Sequence, residues 1–185
     1  MQITNLAHAS YRVSDREASL RFYRDILGLK EKFTIRYDEE VSFIEAGSGE
    51  NSEEEHEKTD PAQNEENKEG MRAFLDSMRS QGSRVWITYL EVAPHQYVEL
   101  FSSEGGEENI TFDTDHFNHI GYLHLALEVD DIHSAYEEMK QKGVTLLSEP
   151  SMGIEHTWQF WILDPDGNAI ELMQYTDQSW QLTGR

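Results

Sequence analysis

Two segments of the chain carry one pattern, and a duplicated pattern confines the fold to an assembly of two equivalent modules. Leu6–Val13 (LAHASYRV) alternates as a strand, and Ser14-Asp15-Arg16-Glu17 supplies a Ser-x-x-Glu capping box. The helix that follows has Ala18, Phe22 and Ile26 on its apolar stripe and ends at Gly28. Tyr122–Val129 (YLHLALEV) alternates in the same way, Asp130 caps a helix with Ile132, Ala135, Tyr136 and Met139 at helical spacing, and Gly143 ends it. His8 stands five residues before Val13, and His124 five before Val129. Further strands are expected at Lys32–Tyr37, Val85–Val92 and Tyr97–Phe101, and in the second copy at Val144–Ser148, Thr157–Leu163 and Ala169–Tyr175. Both copies read βαβββ. Asp164-Pro165-Asp166-Gly167-Asn168 joins the last two strands as an ordinary turn, since the downstream Glu spacing of a calcium loop is missing.

The copies differ in length. His8 and Glu99 are 91 positions apart and His124 and Glu171 only 47, so the first copy holds an insertion of about 44 residues between its second and third strands. Glu50–Glu69 is rich in Glu, Asn and Lys and reads as a solvated, disordered loop. Met71, Phe74, Leu75 and Met78 then repeat at helical spacing, which predicts a short amphipathic helix docked on the body or, as the alternative, covering a pocket. The expected organisation is a first module over 1–101 with an acidic insertion at about 47–83, a linker over 102–121, a second module over 122–177 and a C-terminal tail over 178–185.

Composition narrows the function. Thirty-six Asp and Glu against fifteen Lys and Arg give a formal charge of -21, a field that repels polyanions and argues against nucleic acid as a partner. With no cysteine, disulfides, thiolate zinc sites, iron–sulfur clusters and cysteine nucleophiles are excluded, and any metal must be held by His and carboxylate. No apolar run approaches the roughly 20 residues that cross a bilayer, and Met1–Tyr11 has no leader character, so a cytoplasmic protein with no membrane partner is expected.

Strand parity picks out the candidate site. Residues two apart share a face, so His8, Ser10 and Arg12 oppose Ala7, Ala9, Tyr11 and Val13, and His124 opposes Leu123 and Leu125. Glu99 likewise opposes Val98 and Leu100, and Glu171 opposes Ile170 and Leu172. A His and a Glu at corresponding places in both copies, all turned away from the helix-packed face, point to a metal site. His116 and His119 fall in the linker, His95 in a turn and His133 on a helix, all poor ligand positions, while His156 could reach the pocket rim. Trp86, Trp158, Phe160, Trp161 and Met173 include pocket-wall residues that the sequence does not separate from core.

The segments HASYRVSDREASLRFYRDILGL, QYVELF, YLHLALEVDDIHSAYEEMKQKGV and FWILDPDGNAIELMQY resemble, in order and in their relation to the strands, the vicinal oxygen chelate superfamily and within it glyoxalase I, or lactoylglutathione lyase. The resemblance implies an α+β fold in which paired βαβββ modules form a cupped, barrel-like mixed sheet around one divalent ion. His8, Glu99, His124 and Glu171 fall on the ligand positions of the bacterial enzyme, and two imidazoles with two carboxylates suit Ni, Co, Zn, Mn or Fe. It implies a lyase or isomerase acting on an α-hydroxycarbonyl or hemithioacetal by proton transfer through an enediolate, as in methylglyoxal detoxification. In that scheme Glu171 is the base, Glu99 is the runner-up, and Arg12 clamps a substrate carboxylate. It also implies a homodimer whose sites are shared between chains, or else closed within one chain, and no organic cofactor.

Two places depart from the pattern of glutathione-binding relatives. FDTDHFNHIGY before His124 has Asp113 and Asp115 and no Arg, and PSMGIEH has Gly153 where a lysine is often found. An epimerase or isomerase of the superfamily acting on another small substrate is therefore the close alternative. An Fe(II) extradiol dioxygenase using His8, His124 and Glu171 is disfavoured by the fourth ligand Glu99, and a non-catalytic binding protein by the complete ligand set.

Overall fold

The computed structural model describes residues 2–47, 61–107 and 121–184. The architecture is α+β, with two open sheets that repeat one strand order. In the first, β1 (His8–Val13), β4 (Gln96–Ser102), β3 (Val85–Ala93) and β2 (Lys30–Arg36) lie side by side in that order. In the second, β5 (Leu125–Glu128), β9 (Ala169–Gln174), β8 (Trp158–Leu163) and β6 (Thr145–Leu146) do the same, with β7 (Ser151–Met152) also paired to β8. In each sheet the last strand of its βαβββ set therefore lies beside the first. β5 runs parallel to β9, and β8 antiparallel to it. No helix of the described residues is long and apolar enough to cross a membrane.

Two compact units are distinguished. One comprises Met1–Arg12 and Glu31–Glu104; the other comprises Val13–Lys30 and Gly105–Arg185. The segment between β1 and β2 thus belongs to the unit built on the second sheet. It contains α1 (Arg16–Leu20), which continues as a π-helical stretch over Arg21–Ile26 where Leu27 N donates to Phe22 O, five residues back. Polar contacts tie it to the β8–β9 turn: Tyr23 Oη donates to Asp164 at 2.8 Å, and the Ser14 hydroxyl and amide both donate to Asp166. Asp164 also accepts from Asp166 N and from Asn168 N and Nδ2, which explains how a buried carboxylate is retained in a turn.

Both helix caps lie one residue beyond the expected position. Asp15, not Ser14, accepts from Glu17 N and Ala18 N, because the Ser14 side chain is engaged by Asp166. Asp131, not Asp130, accepts from Ser134 N at the start of α4 (Ile132–Gln141). Gly28 and Gly143 end these helices as expected, with φ of +80° and +73°. The expected strand over Tyr122–Val129 begins only at Leu125, and that over Val144–Ser148 shortens to Thr145–Leu146.

The insertion departs furthest from the expectation. Tyr37 is not in a strand but opens α2 (Tyr37–Gly47), and α3 runs from Pro61 to Gln81, so residues 61–69, read as disordered loop, are helical. Residues 48–60 lie outside the described residues. Asp38, Glu39 and Glu40 crowd the first turn of α2, where the helix dipole favours anions, and Glu39 reaches back to accept from Arg36 N at 2.7 Å. Pro61 at the start of α3 forgoes no hydrogen bond there. The ends of the insertion are held together because Tyr37 N and Asp38 N donate to the carbonyls of Arg84 and Gly82. Tyr37, Val41 and Met78 form a buried cluster against Leu75 and Trp86, so this part of the α3 stripe docks, while Met71 and Phe74 remain 51% and 44% exposed.

This division sets the expected mutational response. Met78→Ala should cost about 2–5 kcal/mol, whereas Phe74→Ser should stay within about 0.5 kcal/mol. Thermal and denaturant unfolding of both variants checks this.

Candidate active site

β1 and β4 are neighbours, and their pairing brings His8 to Glu99. His8 Nδ1 lies 3.4 Å from Glu99 Oε1, and Ser10 Oγ donates to Glu99 Oε2 at 2.6 Å. Parity expects Glu99 on an open face, yet it is only 3% exposed. Tyr89 stands opposite it in the β3–β4 register and is stacked on Phe33 with ring centroids 4.3 Å apart. Burial pushes the Tyr89 hydroxyl up to about 12, helped by a hydrogen bond to Glu99 and by the charges of Glu99 and Glu40. Arg12, exposed and at the same parity as His8 and Ser10, exerts its charge on Tyr37. Burial pushes that phenol up to about 12, Glu104 adds to the rise, and Arg12 opposes it.

The second sheet repeats the pair. His124 immediately precedes β5 and its Nε2 lies 3.2 Å from Glu171 Oε2, Glu171 being 7% exposed. Trp161 stands opposite Glu171 in the β8–β9 register, and its ring meets the His124 imidazole edge-on at 4.6 Å. Burial pushes the Glu171 carboxyl above its usual range; His124 opposes the rise and the Glu155 charge adds to it. Glu155 folds back over Gly153, where a Cβ would lie 2.3 Å from its carboxylate oxygen, so any larger residue at 153 would displace it.

The structure therefore brings His8 to Glu99 and His124 to Glu171. Among the described residues no group of three or more His, Asp or Glu gathers closely enough to hold a metal ion. Each pair nevertheless fits a divalent ion. Two donors about 2.1 Å from one ion lie about 3.0 Å apart at right angles and about 3.4 Å at the tetrahedral angle, the range of both observed separations. The Nδ1 of His124 is buried with no hydrogen-bond partner among the described residues, so this imidazole is not fully satisfied by the chain.

Of the other histidines, His95 holds a left-handed turn between β3 and β4, His133 packs edge-on against Trp158, and His156 lies near Trp180. His116 and His119 lie outside the described residues. Tyr89 and Glu155 escaped assignment from sequence, the first because register decides it and the second because the fold-back over Gly153 does, whereas Trp161 was among the aromatics left between pocket wall and core and register sets it opposite Glu171. Ser10 carried a signal, being at the parity of His8. Among the unassigned aromatics, Phe160 is a core residue packed edge-on against Tyr136, and Trp86 is half-buried against Tyr37.

Two open sheets of matching strand order, each with a His–Glu pair where its first and last βαβββ strands meet, define a duplicated βαβββ protein. The chain belongs to the Glyoxalase/Bleomycin resistance protein/Dioxygenase superfamily, whose sequence model matches residues 5–172. Members commonly use a divalent metal and act on small molecules. Solved structures share the fold. A member of this superfamily from Sphaerobacter thermophilus is 21% identical with a TM-score of 0.55, covering 94% of this chain and 98% of that one. A glyoxalase family protein from Enterococcus faecalis is 16% identical with a TM-score of 0.58, over 94% and 99%. A lactoylglutathione lyase from Agrobacterium tumefaciens is 13% identical with a TM-score of 0.52, over 94% and 96%. At these identities the likeness is one of fold alone.

Each glutamate depends on its histidine. In metal-free protein, His124→Ala should leave Glu171 buried without its partner and cost about 1–3 kcal/mol, and adding Glu171→Gln should recover most of that. Burial raises the folded-state pKa of Glu171 above its unfolded value, so the fold favours the protonated form. The deficit should thus be largest above the folded pKa and shrink as pH falls through it. Melting curves across pH for both variants check this, and a deficit independent of pH would contradict it.

Proposed function

We propose that the protein is a divalent-metal-dependent lyase or isomerase of the glyoxalase I type, moving a proton between adjacent carbons of an α-hydroxycarbonyl or hemithioacetal substrate. The observation that carries this reading is the repetition of a His–Glu pair, at 3.4 and 3.2 Å, in equivalent places of two equivalent sheets. His8, Glu99, His124 and Glu171 are the ligand set, with Ni, Co, Zn, Mn or Fe as the ion. The ion supplies Lewis acidity, polarising the substrate oxygens and offsetting the charge that builds as the neighbouring proton leaves.

Glu171 is the base that takes the proton from one carbon and returns it to the next. Burial supports this role by raising its affinity for a proton, and among the described residues its carboxylate has His124 as its hydrogen-bonding partner. Glu99, held by Ser10 as well as His8, suits a fixed ligand better. Trp161 shields the His124–Glu171 pair on one side, and Arg12 binds an anionic group of the substrate. Glu155, folded over Gly153, favours a second reading: an epimerase or isomerase whose substrate carries no carboxylate at that place.

Metal analysis and a panel of hemithioacetal and ketose substrates test the reading. The protein should bind about one divalent ion per four-ligand set, and His8→Ala or His124→Ala should weaken binding sharply; wild-type metal content in both variants would refute the ligand set. Glu171→Gln should lower turnover and solvent-hydrogen exchange by about a hundredfold or more while metal content falls less. We further propose a homodimer that shares its sites. Mixing His8→Ala with Glu171→Gln chains should then regain activity in heterodimers, whereas none under proven subunit exchange places each site within one chain.

A further inference from the structure

The two sheets are equivalent in strand order but not in what surrounds their glutamates. Two residues after each site histidine the chain has Ser10 in one copy and Ala126 in the other, and Ala126 stands opposite Glu171 in the β5–β9 register. Ser10 Oγ reaches Glu99 Oε2 at 2.6 Å, while His8 faces the other oxygen, Oε1. Tyr89 stands opposite Glu99 across β3–β4, where the Glu99 carboxylate helps its hydroxyl retain its proton, and its ring is stacked on Phe33. Glu171 has a methyl group and an indole at the equivalent places, Ala126 and Trp161.

From this asymmetry we infer that Ser10 and Tyr89 are positioning residues: they hold the Glu99 carboxylate in one orientation as the stationary ligand, so that mobility is left to Glu171. The inference rests on the metal-site reading above. A carboxylate with one oxygen facing His8 and the other accepting from Ser10 has both oxygens engaged, so swinging away breaks both contacts. Such outer partners orient a ligand and raise its affinity for an ion, and their removal characteristically costs tenfold to a hundredfold in affinity or activity. A glutamate that must leave the ion and carry a proton needs the opposite surroundings, which Ala126 and Trp161 provide.

Calorimetric titration of metal-free protein with Co(II), with kcat and KM measured alongside, tests the assignment. Ser10→Ala and Tyr89→Phe should each weaken Co(II) binding by about tenfold or more and lower kcat with little change in KM. Ser10→Thr, which keeps the hydroxyl, should restore both. His8→Ala is the reference for the site itself. If His8→Ala weakens Co(II) binding but Ser10→Ala and Tyr89→Phe bind it as the wild type does, the positioning role is wrong and the metal site stands. If His8→Ala also binds normally, the metal-site reading is the one that fails. Failure of Ser10→Thr to restore affinity in a protein that melts like the wild type would equally overturn the role of the hydroxyl.

Discussion

A carboxylate on a buried sheet position is tolerated only when something compensates its lost hydration, and this protein has two such carboxylates at equivalent places. Glu99 and Glu171 are 3% and 7% exposed on strands whose neighbours are Val98, Leu100, Ile170 and Leu172. What the glutamates have beside them is local: a histidine from the strand or strand-end alongside, and in one case the Ser10 hydroxyl as well. The strand order that sets each first strand against the last strand of its βαβββ set is what delivers that histidine. Fold and site are therefore one arrangement, since any other order would leave the carboxylates buried and unpartnered.

The same logic of compensated burial recurs away from the site. Asp164 and Asp166 are 5% and 6% exposed in the β8–β9 turn, where Tyr23 and Ser14 supply hydroxyl donors. Those contacts come from the segment that connects β1 to β2 in sequence yet belongs to the unit of the second sheet. A polar turn thereby anchors the helix that precedes β2.

Much of this was legible in the sequence because it depends on period and spacing. Alternation located β1, β3, β4, β8 and β9, the glycines ended the helices, and parity put His8 and Ser10 together. The misread parts depend on competition that a pattern does not record. Ser14 satisfies every rule for a cap, but Asp166, 152 positions away, takes its hydroxyl. Residues 61–69 have the composition of a disordered tract, yet they form the start of a helix whose later turns bury Met78. Helix formation is cooperative, so a docked C-terminal half carries polar turns that would not form alone. The burial of the glutamates was equally hidden, because the aromatics opposite them are fixed by register and not by position in the chain.

Duplication makes two copies interchangeable in outline, and the differences between them are then informative. The first copy has α2 and α3 at the β2–β3 connection, closed by backbone hydrogen bonds and packed on Trp86, and it surrounds its glutamate with His8, Ser10 and Tyr89. The second copy has only the short strand β7 at the corresponding β6–β8 connection, and its glutamate meets Trp161 and the like charge of Glu155. One carboxylate is thus hydrogen-bonded into place, while the other is desolvated and repelled. Desolvation and a neighbouring anion favour proton uptake, the direction in which Glu171 is moved. The two glutamates occupy corresponding strand positions, yet their immediate surroundings differ in kind.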